Sequence, residues 1–154
     1  MIDFNLVCAC EAGPEYDQQR MADAVSAVLD EAGENSADGQ VSIDIRLVDE
    51  TESAELNGQF RNKTYPTNVL SFPADARLPG SHALGDLVIC MPVVQAEAAT
   101  QSKTVEAHLM HMVVHGCFHL LGYDHISDDE AGIMEAAERR VMKKLGYDDP
   151  YLTL

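Results

Sequence analysis

The chain has 154 residues and a formal net charge of −16, a length that suits one domain burying about two thirds of the surface its unfolded form exposes. It contains no apolar run of about 18 residues to span a bilayer, and the start Met1-Ile-Asp-Phe-Asn lacks the basic stretch and apolar core of a signal peptide, so a cytoplasmic protein with no membrane partner is expected. The acidity argues against a nucleic-acid partner, but it is concentrated at the ends: residues 1–60 carry fourteen acids against Arg20 and Arg46, residues 124–154 carry eight against four bases, and residues 61–123 balance four of each.

In chain order, residues 4–10 form an apolar run that reads as a first strand. Pro14 opens a helical segment in which Met21, Val25, Val28 and Leu29 recur at helical spacing, and Gly33 ends it. A polar loop over 34–40 leads to Val41, Ile43, Ile45 and Leu47, which alternate with Ser42, Asp44 and Arg46. That period of two marks a strand with one buried face. Asp49 and Glu52 supply a capping box for a second helix, which Asn57-Gly58 is expected to end. Residues 60–67 then read as a loop carrying Arg61 and Lys63. Asn68 to Phe72 is an edge or terminal strand, since Pro73 cannot donate to a ladder, and residues 77–82 are loop. Residues 84–90 form the last strand, and Pro92 suits the first turn of a helix reaching about Gln101. A helix over 104–121 follows. Ser127 and Glu130 then cap a final helix, ended by Gly146, with Met134, Val141, Met142 and Leu145 in the core. These elements make an α+β single domain of four strands and about five helices, spanning 1–154. Cys8, Cys10, Cys90 and Cys117 show no C-x-x-C pair and read as small buried residues in a reducing compartment.

The chemistry is concentrated in His111-Met-Val-Val-His115-Gly-Cys-Phe-His119-Leu-Leu-Gly122-Tyr-Asp-His125. Residues four apart on a helix share a face, with Cβ atoms about 5–6 Å apart, so His115 and His119 can aim at one ion. Gly122 can take the left-handed conformation that ends a helix, which lets His125 swing round as a third ligand. Three neutral nitrogens and an open fourth position describe a catalytic zinc-type centre. His108 and His111 lie on a similar face and read as core residues or as partners of the ligands. Cys117 reads as packing, and Tyr123 and Asp124 as groups that could orient imidazoles. The metzincin protease motif H-E-x-x-H-x-x-G-x-x-H has the same spacing. Gly116 stands here in place of its general-base Glu, so the cage is kept and the base for peptide cleavage is missing.

Three separated stretches, Pro66-Thr-Asn-Val-Leu-Ser-Phe-Pro73, Gly85-Asp-Leu-Val-Ile-Cys90 and His111 through His125, resemble the YbeY family of bacterial single-strand-specific metal-dependent endoribonucleases. The resemblance implies an α+β domain with a small mixed sheet and one divalent ion, zinc-like, on His115, His119 and His125. It also implies that Arg61 is the family's catalytically important arginine, a permanently charged fork suited to grip a phosphate. The implied substrate is single-stranded ribosomal RNA, cleaved in small-subunit RNA 3′-end maturation and in ribosome quality control. Ribosomal particles and small-subunit ribosomal proteins are the implied partners. Residues 1–40 and 146–154 carry no motif, so nothing transfers to them. The alternatives are another zinc-type hydrolase, such as a peptidase, and a non-catalytic, metal-stabilised ribosome-assembly module.

Overall fold

Alternating and helical apolar patterns separate the described residues into nine elements. The computed structural model describes residues 2–10, 16–34, 41–74 and 83–152. In order these are β1 (Ile2–Cys8), α1 (Gln18–Ala32), β2 (Val41–Val48), α2 (Glu50–Arg61), β3 (Val69–Pro73), β4 (Ala83–Cys90), α3 (Met91–Thr100), α4 (Val105–Leu120) and α5 (Asp128–Lys144). The strands form one mixed sheet of order β1-β2-β4-β3, with β1, β2 and β4 parallel and β3 antiparallel on its edge, as the proline after Phe72 predicts.

The alternation in β2 directs Ile43, Ile45 and Leu47 into the main core beside Leu87 and Ile89 of β4 and the apolar sides of α1, α4 and α5. The opposite sheet face holds a smaller cluster of Val48, Leu70, Val88 and Cys90, against which Leu56 of α2 packs. Helix α4 is apolar almost all round, and such a helix can only be enclosed. It lies between α1, α3 and α5 and crosses β3 and β4. Its enclosure fixes where its histidines point. Among the described residues no helix is long and apolar enough to cross a membrane.

Several expectations need correction. The first helix is capped by Asp17, whose carboxylate accepts from the N–H groups of Gln19 and Arg20; Pro14 lies outside the described residues, as do most of the loop over 34–40, Arg77 and the loop over 77–82. Helix α2 does not stop at Asn57-Gly58. Asn57 is buried and its carboxamide is used in a tertiary hydrogen bond, so the helix runs on to Arg61 and Asn62 takes the left-handed cap at φ 56°. Arg61 is therefore the last helical residue and not a loop cation. Cys90 and Cys117 are buried and free, but Cys8 is exposed because it ends the edge strand β1.

Candidate metal centre

Helix α4 begins at the Thr104 cap and ends where Gly122 takes φ 95°, with the Gly122 and Tyr123 N–H groups donating to the carbonyls of His119 and Phe118. This reversal carries the chain back over the last turn of α4. It brings the His125 ring centroid to 5.6 Å from that of His115 and 4.9 Å from that of His119. One nitrogen from each of the three rings lies within 4.8 Å of the other two.

The hydrogen bonds settle which nitrogens are offered. His115 Nδ1 lies 3.1 Å from Glu138 Oε1 and His119 Nδ1 lies 3.0 Å from the Tyr123 carbonyl oxygen. An ionised carboxylate and a carbonyl only accept, so each Nδ1 carries the proton and each Nε2 presents a bare lone pair. Those two lone pairs face each other across 3.2 Å. Neither can donate to the other, and their repulsion is relieved by a cation between them. Two nitrogens bound at about 2.0–2.1 Å in tetrahedral geometry are about 3.3 Å apart, which matches the spacing. The residues present thus fit a zinc-type ion. His119 is held below the ordinary imidazole pKa, first by burial and then by His115 and His125, and so is neutral as a ligand must be.

Glu138 is the residue of the candidate site that sequence reasoning missed. Its carboxylate is fully buried on α5 and accepts from His111 Nε2 at 2.7 Å, from His115, and from the Tyr151 hydroxyl at 2.9 Å. Burial is the largest influence on this carboxyl and pushes its pKa up. The imidazoles of His111 and His115 together outweigh burial and bring it down to about 2. The signal was available: Met134, Val141 and Met142 define the inner face of α5, and position 138 falls on that face as an acid among apolar residues. Tyr151, in the tail, gave no signal. His108 and His111 are both buried, His108 bonding Glu97 at 2.9 Å, so neither joins the three-histidine set. Tyr123 orients His119 through its backbone carbonyl while its ring packs on Phe118, and Asp124 accepts from the His125 N–H. Cys117 is inert packing, its thiol pushed up to about 12 by burial.

Carboxylates that orient a ligand imidazole raise its basicity, and losing them typically weakens metal binding about 10- to 100-fold. Glu138→Gln should do so, measured by competition with a chromophoric chelator. Unchanged affinity would reduce Glu138 to a core hydrogen-bond acceptor.

Gly116 has a structural reason as well as a chemical one. A Cβ there would lie 2.7 Å from Leu87 Cδ2 and 3.3 Å from Ser71 Oγ, and Leu87 is fully buried. The helix face that carries a protease's glutamate is here pressed onto the sheet. Gly116→Glu would force a charged side chain into that contact at a cost of at least about 3 kcal/mol. The variant is expected to lose its cooperative thermal transition, and a folded, metal-loaded Gly116→Glu protein would contradict this packing.

The triad opens onto a cleft of about 790 Å³ whose other wall includes Arg61, Lys63 and Tyr65. Arg61 Nη2 donates to the Ser71 carbonyl at 3.1 Å, and Ser71 Oγ donates to the Gly116 carbonyl at 3.3 Å. The guanidinium is thereby tied to the same stretch of β3 that supports the ligand helix. Arg46, by contrast, is paired with Glu52 and lines a separate cavity with Asp44 and Asp86. Lys103 donates to the Pro150 carbonyl at 2.5 Å and faces an adjoining cavity.

Residues 8–146 match the family model described as Endoribonuclease YbeY. The chain belongs to the YbeY endoribonuclease family. A relative called Endoribonuclease YbeY from Stutzerimonas stutzeri is 50% identical, over 98% of this chain and 92% of its own length. Another of that name from Pseudomonas putida is 53% identical over 89% of this chain and 92% of its own length. A third, from Pseudomonas savastanoi, is 60% identical over 77% of this chain and 71% of its own. The solution structure of a Thermotoga maritima protein superposes with a TM-score of 0.57 at 26% identity, covering 99% of both chains. That likeness extends over an α+β fold that has, among the described residues, a four-stranded mixed sheet and five helices.

Proposed function

We propose that this endoribonuclease holds one zinc ion on His115, His119 and His125 and cleaves single-stranded ribosomal RNA with the help of Arg61. It would act in the cytoplasm, in small-subunit RNA 3′-end maturation and ribosome quality control. The observation that carries the reading is the pair of bare imidazole nitrogens 3.2 Å apart, in a cleft that also contains Arg61. When bound, the ion supplies Lewis acidity to a phosphoryl oxygen and to water. The chain supplies the rest. Glu138 and the Tyr123 carbonyl hold two ligand rings in the required tautomer, and Arg61 offers a fixed fork to the oxygens on which charge develops. A peptidase would need a carboxylate near position 116, where any side chain would have to displace buried Leu87. A purely structural ion would have no use for a cleft on its open side.

Elemental analysis, paired with cleavage assays on single-stranded RNA and on a protein substrate with and without chelator, tests the reading. Stoichiometric zinc and chelator-sensitive RNA cleavage are expected; peptidase activity, or RNA cleavage indifferent to metal removal, would overturn it. Among the described residues the cations lining the cleft are Arg61 and Lys63. Binding to naked RNA should therefore weaken with salt at a log-log slope of about −1.4, at about −0.7 per phosphate on a single strand. Ribosomal particles and small-subunit ribosomal proteins would supply the remaining recognition. A slope steeper than about −5, or equal affinity for naked RNA and particles, would contradict this division of labour.

A further inference from the structure

The turn between α2 and β3 holds its backbone firmly and leaves one aromatic ring uncovered. Asn57, almost fully buried on α2, donates from Nδ2 to the Tyr65 carbonyl at 2.8 Å. One turn earlier on that helix, buried Ser53 accepts from the Thr67 N–H at 3.0 Å and donates to the Thr67 carbonyl at 3.1 Å. The Lys63 N–H donates to the Asn57 carbonyl at 3.2 Å. Two buried polar side chains thus fix the segment at Tyr65 and just after it, and a backbone hydrogen bond holds it just before. Its side chain nevertheless packs into neither apolar cluster and the residue is 54% exposed. The nearby Phe60 differs, since it sets its ring edge against Phe72 at 5.2 Å.

An isolated exposed tyrosine needs no explanation. This one lines the cleft that holds the three histidines and Arg61, and the Lys63 ammonium stands over its ring, 5.8 Å from the centroid. A pre-positioned aromatic ring with a cation over one face matches one nucleotide: the base on the other face, its phosphate near the ammonium. We infer that Tyr65 is the stacking platform for one base of the RNA strand lying next to the phosphate gripped by Arg61. The inference rests on the endoribonuclease reading above. It also gives a physical basis for choosing single strands, because a base paired and stacked within a helix has no free face to offer.

The test uses the zinc-loaded full chain and a short unstructured oligoribonucleotide with a fluorescent reporter of cleavage. Wild type is assayed first; if it does not cleave RNA, the endoribonuclease reading falls and takes this inference with it. Given wild-type cleavage, Tyr65→Ala should lower kcat/KM roughly 5- to 150-fold, mainly through KM, while Tyr65→Phe stays within about twofold. Zinc content and melting temperature should not change. Abasic nucleotides placed one position at a time should identify one position at which the abasic substrate and Tyr65→Ala are not additive, because both remove the same contact. Wild-type-like kinetics for Tyr65→Ala, a Tyr65→Phe variant as impaired as Tyr65→Ala, or full additivity at every abasic position would each overturn the platform.

Discussion

Arg61→Ala is expected to lower turnover on single-stranded RNA by about 10³-fold, the scale on which an arginine stabilises charge developing on transferring phosphoryl oxygens. Zinc content should remain and the melting temperature should hardly move. Arg61 is exposed in the last turn of α2 and makes a hydrogen bond to the Ser71 carbonyl, so its removal costs at most about 1 kcal/mol of stability. The effect should fall on kcat, because the interaction strengthens as charge builds up. Arg61→Lys should recover only part of the loss, since an ammonium keeps the charge but not the planar fork. An Arg61→Ala protein that unfolds or sheds its metal would show that Arg61 braces α2 against β3 instead.

His119→Ala should abolish stoichiometric zinc binding and all metal-dependent cleavage. Two of three nitrogens leave a site of low affinity, and the lost Nδ1 bond to the Tyr123 carbonyl also loosens the turn that presents His125. The metal-free variant should melt within a few degrees of metal-free wild type, because one half-exposed hydrogen bond contributes only about 1 kcal/mol. Added zinc should raise the melting temperature of wild type and not of the variant, as expected when a ligand binds only the native state. Stoichiometric zinc retained by His119→Ala would rule out the three-histidine centre.

Much of the site was legible because it is local. The i, i+4 spacing of His115 and His119 needs only a helix, and the return of His125 needs only the left-handed turn at Gly122. The cores of α1 and α5 and the buried face of β2 followed from periodicity in the same way. Where one local signal competed with another, reading failed. Asn57-Gly58 looks like a helix stop, but Asn57 is occupied with the Tyr65 carbonyl, so α2 continues and carries Arg61 at its end.

By itself, then, the sequence determined the histidine triad as the candidate site, the order of strands and helices along the chain, and the absence of a protease base at Gly116. The tertiary structure alone decided that Glu138 and Tyr151, 23 and 36 residues from His115, complete the environment of that imidazole, and that Arg61 shares a cleft with the triad. It also decided that a side chain at position 116 would press on Leu87, because that residue comes from a different strand and is fully buried. The physical reason is range: helix periodicity and glycine conformation act within a turn or two of chain. The partner of a buried carboxylate and the wall of a cleft depend on how distant elements pack around α4.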